Sequence, residues 1–147
     1  MQRISTSIDI AAPVERVWAV LMDFPAYSRW NPFIVALVGS AVPGAKLRVT
    51  MRPEGGRAMS FAPTVIACEP NREFRWKGKV LVPGIFDGEH CFRVSSLGPG
   101  ASRFLHEELF TGILAPLIMR GSMKASTQAG FEAMNRALKL RAEGSDG

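Results

Sequence analysis

Residues 8–33 read IDIAAPVERVWAVLMDFPAYSRWNPF, and this stretch carries most of the information about the fold. Ile8 and Ile10 alternate with a polar residue, which is typical of a half-buried strand. Pro13 suits the first position of a helix, because no N–H donor is needed there. The apolar residues that follow have the i, i+3, i+4, i+7 spacing of one buried helix face: Val14, Val17, Trp18 and Leu21. The stretch therefore predicts a strand, a helix and then an aromatic-rich turn.

This segment resembles the opening of the helix-grip superfamily, the START-like or SRPBCC proteins, in its polyketide cyclase/dehydrase-like branch. The matching motifs are Ala12-Pro13, Val17-Trp18, Asp23, Tyr27 and Trp30-Asn31-Pro32. The resemblance continues to Arg141, and it implies an α+β, helix-grip fold. In that fold a curved antiparallel sheet of about seven strands wraps around a long C-terminal helix, with two short helices after the first strand. The resemblance also implies a ligand cavity between the sheet and the last helix.

Length and composition favour one globular domain. The chain has 147 residues, of which 47% are hydrophobic and 21% charged. We expect a single domain over 1–141 and a disordered tail over 142–147. No apolar run approaches the ~20 residues that span a bilayer, and the N-terminus lacks the apolar core of a signal peptide. The expectation is a cytoplasmic protein without stable membrane insertion.

The charge pattern argues against a nucleic-acid partner, although the net charge is +5. Arg48 and Arg52 alternate with apolar residues, as on the solvated face of a sheet. The cations near Arg141 suit the C-terminal end of a helix dipole. Cys68 and Cys91 lack metal-type spacing, so free thiols are expected, with a disulfide between them as the alternative. We expect no cofactor, and the oligomeric state stays open.

Turn signals divide the middle of the chain into short segments that predict antiparallel strands. The expected strands are Ile4–Ile10, Phe33–Val42, Lys46–Arg52, Ser60–Glu69, Glu73–Val80, Ile85–Ser95 and Ser102–Phe110. From about Leu114 to Arg141 the apolar period becomes helical. The stripe of this long helix is Met119, Met123, Thr127, Phe131, Met134 and Leu138.

Strand parity gives a hypothesis for the site. The more apolar face of the strand at 85–95 contains His90, and the resemblance favours the face of the next strand that contains His106 and Glu108. These three residues are the candidate catalytic group, because a histidine suits proton transfer and a carboxylate can orient it. The alternatives are two histidines hydrogen-bonded within the core, a histidine on the surface, or a metal site, which we do not expect.

Apolar and small residues on the same faces are the candidate ligand-binding set. They are Trp30, Trp76, Phe92, Phe104, Phe110, Met123, Thr127, Gly130, Phe131 and Met134. Gly130 permits either close packing of the helix or room for a ligand, and packing is favoured. Trp30 lies in the short segment before Pro32 and is expected at the cavity rim.

The function predicted from these features is binding of a hydrophobic or aromatic small molecule, lipid-like or polyketide-like, between the sheet and the last helix. One alternative is an enzyme of cyclase or dehydratase type that uses the cavity His and Glu residues. Another is a protein-interaction module, similar to the chaperone-activator branch of the superfamily.

Overall fold

A computed structural model describes residues 2–80 and 82–144; for Val80 it describes the backbone alone. The predicted tail therefore lies outside the described residues from position 145 onward. The strands are β1 Gln2–Ile10, β2 Ile34–Val38, β3 Arg48–Met51, β4 Met59–Phe61, β5 Thr64–Glu69, β6 Glu73–Val80, β7 Phe86–Gly98 and β8 Ala101–Thr111. The helices are α1 Val14–Met22, α2 Tyr27–Trp30, α3 Ala115–Ile118 and α4 Gly121–Glu143, with a 3-10 turn at Phe24–Ala26 before α2.

The strands form two antiparallel sheets that continue into each other. The larger sheet has the order β1-β8-β7-β6-β5, and the smaller has the order β2-β3-β4. Lys46 and Thr64 form a bridge between them, and the amide of Leu47 donates to the carbonyl of Pro63 at 2.8 Å. The strand predicted over Ser60–Glu69 is thus two strands, because Pro63 has no N–H to continue the ladder. The α+β helix-grip fold is confirmed.

Helix α4 packs on the concave side of the larger sheet, against β1 and β8. Its buried residues include Thr127, Phe131, Met134 and Leu138, as the apolar stripe predicts. The long helix predicted from Leu114 is two helices, since the chain breaks before Gly121, whose φ of 58° is left-handed.

Helix α4 extends two residues beyond the helix end predicted at Arg141. The helix continues to Glu143, because Ala142 is buried and the Glu143 carboxylate accepts a hydrogen bond from the amide of Ala11 at 2.7 Å. This contact ties the end of α4 to the turn between β1 and α1.

Side-chain bonds to the backbone fix the aromatic-rich turn. The Tyr27 hydroxyl, fully buried, donates to the carbonyl of Leu21 in the last turn of α1 at 2.7 Å. Asn31 Oδ1 accepts from the amides of Phe33 and Ile34 at 2.9 and 2.8 Å, which starts β2. The turn therefore delivers Phe33 into the core.

Ion pairs lie on the outer face of the larger sheet. Arg75 contacts Glu73 at 3.0 Å and Glu89 at 2.8 Å, and Arg93 contacts Glu73 at 2.7 Å. Cys91, beneath these groups, is free, as is Cys68. None of the described helices is both long and apolar enough to cross a membrane.

Candidate functional site

A cavity of about 310 Å³ lies between the sheets and the helices α3 and α4. Its wall is almost wholly apolar, and its mouth is marked by the exposed side chains of Met59 and Met123. The wall consists of Phe33, Val49, Met51, Pro53, Met59, Phe61, Pro63, Trp76, Gly78, Lys79, Phe86, Gly88, Glu108, Phe110, Ile118, Met119, Met123 and Thr127.

Two glycines form the floor of the cavity. Gly78 of β6 and Gly88 of β7 are cross-strand partners, so the sheet presents bare backbone at this point. Beside them, the rings of Phe86 and Phe110 stack with centroids 5.7 Å apart. Because neither inward position carries a side chain, there is room for the cavity beside Gly78 and for the Glu108 side chain beside Gly88.

Among the described residues of the wall, Glu108 is the only one with a carboxylate. It lies opposite His90 in the β7–β8 ladder, and its side chain is 13% exposed. A Cβ atom added at Gly88 would overlap Oε2 of Glu108 and lie 3.3 Å from its Cδ. The carboxyl group therefore occupies the space that Gly88 leaves free, with Oε1 turned toward His90.

A buried chain of five polar residues runs from the cavity wall into the core, and we call it the polar chain. Oε1 of Glu108 lies 2.9 Å from Nδ1 of His90, and Nε2 of His90 lies 2.8 Å from Nε2 of His106. Nδ1 of His106 lies 3.0 Å from Oδ1 of Asn135. Nδ2 of Asn135 donates to Oγ1 of Thr6 at 2.9 Å, and that hydroxyl donates to the carbonyl of His106 at 2.9 Å.

Aromatic packing holds both imidazoles in this chain. His90 stacks on Trp76 with centroids 4.9 Å apart, and His106 stacks on Phe131 at 4.0 Å. Both histidines have no solvent exposure. Burial lowers the pKa of His106 well below its ordinary value of 6.5, and the adjacent His90 lowers it further. His106 is therefore a neutral imidazole near pH 7.

The structure brings part of the predicted site to the cavity. Glu108, Trp76, Phe110, Met123 and Thr127 are on the wall. His90 and His106 face the same side of the sheet but lie behind Glu108, so among the three candidate catalytic residues only the carboxylate reaches the cavity.

The other candidate ligand-binding residues lie away from the wall. Phe92, Phe104, Phe131 and Met134 are fully buried in the packed core.

Gly130 and Trp30 pack against other side chains and do not line the cavity. A Cβ added at Gly130 would lie 2.5 Å from Cδ1 of Phe33, so this glycine allows close packing of α4 and leaves no room for a ligand there. The Trp30 ring packs edge-on against Tyr27 at 5.2 Å and is not part of the wall.

Sequence reasoning missed most of the cavity wall, including Gly78 and Gly88, and two residues of the polar chain, Asn135 and Thr6. Gly78 and Gly88 lie inside predicted strands, and a glycine there is a known signal of close approach to the strand backbone. Asn135 follows Phe131 by four residues, so a polar residue on the buried helix face was a detectable anomaly. Thr6 gave no signal, because threonine is common in strands.

The polar chain is not arranged as a metal site. Within residues 2–80 and 82–144, no three His, Cys, Asp or Glu side chains are grouped to hold a metal ion. The Nε2 atoms of His90 and His106 face each other and are occupied by their mutual hydrogen bond.

Comparisons with known proteins agree with this architecture. The family model described as polyketide cyclase/dehydrase and lipid transport matches residues 1–143. The Zhui aromatase/cyclase from Streptomyces sp. R1128 has a similar structure, with a TM-score of 0.79 and 17% identity over 99% of this chain and 98% of that one.

A START superfamily protein from Mycobacterium smegmatis gives a TM-score of 0.71 and 21% identity over 96% of this chain and 97% of that one. At these identities the structural likeness shows the fold alone. No curated protein matches the chain in sequence. The family match, which covers almost the whole chain, carries the assignment: the chain belongs to the polyketide cyclase/dehydrase and lipid transport family.

Proposed function

We propose that the protein binds a hydrophobic or aromatic small molecule, lipid-like or polyketide-like, in the cavity between the sheets and α4. The observation that carries this proposal is the cavity itself, which is apolar on nearly all sides and open at one end. Its volume of about 310 Å³ is at the lower end of ligand sites, which occupy about 300–1,000 Å³.

The composition of the wall indicates how a ligand would lie. An apolar wall gains free energy from the area that it buries, at about 25 cal/mol per Å². The Glu108 carboxyl group offers a polar contact on this wall and can fix the orientation of a ligand that has a polar end. The description of the family and the name of the similar Streptomyces aromatase/cyclase support the same ligand class.

Binding of N-phenyl-1-naphthylamine, an apolar fluorescent probe, tests the proposal. We expect micromolar affinity, about −8 kcal/mol. Gly78→Leu should abolish the fluorescence gain, because the new side chain would project into the cavity past Pro63, which lies 3.4 Å from the added Cβ. Gly100→Leu is the matched control, since Gly100 is an exposed turn residue with no neighbour within 4 Å of an added Cβ.

Wild-type protein that is folded but binds no probe would refute the proposal. Equal loss of binding in both leucine variants would also count against it, because the effect would then not depend on the cavity. Native mass spectrometry of the purified protein would identify a ligand that is retained during purification.

A second candidate function is a cyclase or dehydratase reaction on a polyketide-like ligand. The observation that favours it is the contact between the Glu108 carboxyl, on the wall, and the buried His90 at 2.9 Å. A carboxylate paired with a histidine can take a proton from an acidic carbon between two ketones and return it to the oxygen that leaves as water.

Removal of the proton-transfer group distinguishes the enzymatic function from the binding function. With a poly-β-ketone thioester as substrate, Glu108→Gln should lower turnover by about 10²–10⁴-fold and leave affinity within a few-fold. His106→Gln should act in the same direction through His90. If the wild-type protein binds the thioester but does not convert it, the enzyme function is wrong and the binding function stands.

A further inference from the structure

The directions of the hydrogen bonds from Thr6 as far as His90 follow from the far end of the polar chain, at Thr6. The Thr6 hydroxyl has one hydrogen, and it is donated to the carbonyl oxygen of His106, which can only accept. The lone pairs of Oγ1 therefore face Asn135, which must present its NH₂ group, at 2.9 Å. The other end of that amide, the oxygen Oδ1, is thereby turned toward His106.

The orientation of Asn135 determines the tautomer of the first imidazole. Because Oδ1 is an acceptor, Nδ1 of His106 carries a hydrogen. The buried, neutral His106 then has a lone pair on Nε2, so Nε2 of His90 must be the donor across their 2.8 Å contact. Both hydrogen positions follow from Thr6, which lies 100 residues before His106 in the sequence.

One proton remains to be placed, and it has two possible positions. It lies on Nδ1 of His90, which is then a cation beside the Glu108 carboxylate, or on Oε1 of Glu108, which is then a neutral acid. Without it, a lone pair of His90 would face a carboxylate in a buried site, which is unfavourable. The Glu108–His90 pair therefore holds one proton between its two atoms.

The other carboxyl oxygen has no hydrogen in either arrangement. Oε2 of Glu108 lies beside Gly88, on the wall of the cavity. It is a carboxylate oxygen when His90 is protonated and a carbonyl oxygen when Glu108 is protonated, and both accept hydrogen bonds. A ligand group that meets Oε2 must therefore be a donor.

We propose that Thr6 and Asn135 are positioning residues that fix the direction of the polar chain, and that Oε2 of Glu108 consequently selects ligands with a hydroxyl donor, phenolic or enolic. The ligand class rests on the proposed function, because it assumes that an aromatic molecule occupies the cavity. The positions of the protons rest on the hydrogen-bond geometry and on the neutral state of the buried His106.

NMR of protein labelled with ¹⁵N-histidine tests the proton positions. Long-range ¹H–¹⁵N correlation should show His106 as the Nδ1–H tautomer near pH 7. Thr6→Val should change this tautomer, because the Asn135 amide loses the acceptor that orients it, whereas Thr6→Ser keeps the hydroxyl and should restore the wild-type pattern. A wild-type His106 in the Nε2–H form, or a pattern that Thr6→Val leaves unchanged, would overturn the positioning role.

Two naphthalenes of nearly the same shape test the ligand class. Wild-type protein should bind 2-naphthol about tenfold more tightly than 2-methoxynaphthalene, which has no donor, and Glu108→Leu should reduce this ratio to about one. Equal affinities in the wild type, or a preference for the ether, would overturn the selection of donors and leave cavity binding intact. Failure of both naphthalenes to bind would refute the binding function itself, while the NMR result would still decide the direction of the chain.

Discussion

Replacement of Gly88 by alanine tests the geometry on which the whole site depends. The added methyl group would occupy the position of Glu108 Oε2, so the carboxyl group must move away from β7. This movement breaks the 2.9 Å contact between Oε1 and His90. Gly78→Ala is the matched control: the two glycines are cross-strand partners on the same floor, and the methyl group at Gly78 meets only Pro63, at 3.4 Å or more.

The expected magnitude follows from two opposing contributions. Loss of a hydrogen bond that involves a charged group costs about 1.5–3 kcal/mol. An alanine in place of glycine restricts the unfolded chain and returns about 0.4–1 kcal/mol where its backbone conformation is allowed, as it is at both positions, which lack a positive φ. Gly88→Ala should therefore destabilise the fold by about 0.5–2.5 kcal/mol, whereas Gly78→Ala should be neutral or slightly stabilising.

Urea unfolding of the two variants measures these differences, and a double-mutant cycle assigns the cause. In a Glu108→Ala background the carboxyl group is absent, so Gly88→Ala should lose its penalty and behave like Gly78→Ala. The reasoning would be refuted if the two glycine variants were equally stable, or if the penalty at Gly88 persisted without Glu108.

Three further predictions concern the core around the site. Because burial keeps the pKa of native His106 below its unfolded value of 6.5, the unfolded chain gains this proton first as the pH falls. The contribution of neutral His106 to the unfolding free energy should therefore be fully present above about pH 7. Near pH 5.5 the wild-type protein should have lost about 1 kcal/mol more of its unfolding free energy than the His106→Gln variant has; parallel pH profiles of the two proteins would contradict this. Gly130→Ala should destabilise by about 1–3 kcal/mol despite its better helix propensity, and Phe33→Leu in the same chain should relieve this clash, as urea unfolding can show. Trp18→Ala should cost about 3–5 kcal/mol, whereas Trp30→Ala, on a half-buried residue outside the cavity wall, should cost less and leave probe binding unchanged; impaired binding would return Trp30 to the rim.

The side of the sheet that a residue faces could be predicted from the sequence, because side chains alternate strictly along a strand. His90, His106 and Glu108 lie on the face that parity and the family resemblance favoured. Periodicity does not tell how high along the strand the cavity begins. Phe92, Phe104 and Phe110 share that face, but Phe92 and Phe104 belong to the packed core and Phe110 lies on the cavity wall. Periodicity alone could not distinguish them.

Breaks in regular structure were partly visible in the sequence. Pro63 interrupts the strand predicted over Ser60–Glu69, and a proline inside a strand pattern is a signal of this kind. Gly121 marks the break between α3 and α4, yet a lone glycine is also tolerated inside a helix, so the long helix was a reasonable prediction. Whether a glycine or proline ends a helix or strand depends on tertiary contacts, and these cannot be read from a single sequence.

The polar chain itself could not have been predicted, because its direction depends on partners from three distant segments. Thr6 and Asn135 are separated by 129 positions, and Asn135 and His106 by 29. Each is an ordinary residue in its own segment. They form one hydrogen-bonded chain only when β1, β8 and α4 pack together, and its direction depends on the single hydrogen of the Thr6 hydroxyl.

The energetics of the polar chain argue that it serves the cavity. Stability alone does not require it, since apolar side chains of similar volume often replace buried polar groups at no cost. Among the described residues, none of the side-chain N and O atoms that is both buried and without a partner belongs to this chain. The end of the chain on the cavity wall is different, because Oε2 of Glu108 has no hydrogen-bond partner among the described residues. This oxygen lies in the position that a methyl group at Gly88 would occupy. A network that is satisfied at every internal position and leaves one acceptor on the wall is arranged to receive a donor from a bound molecule.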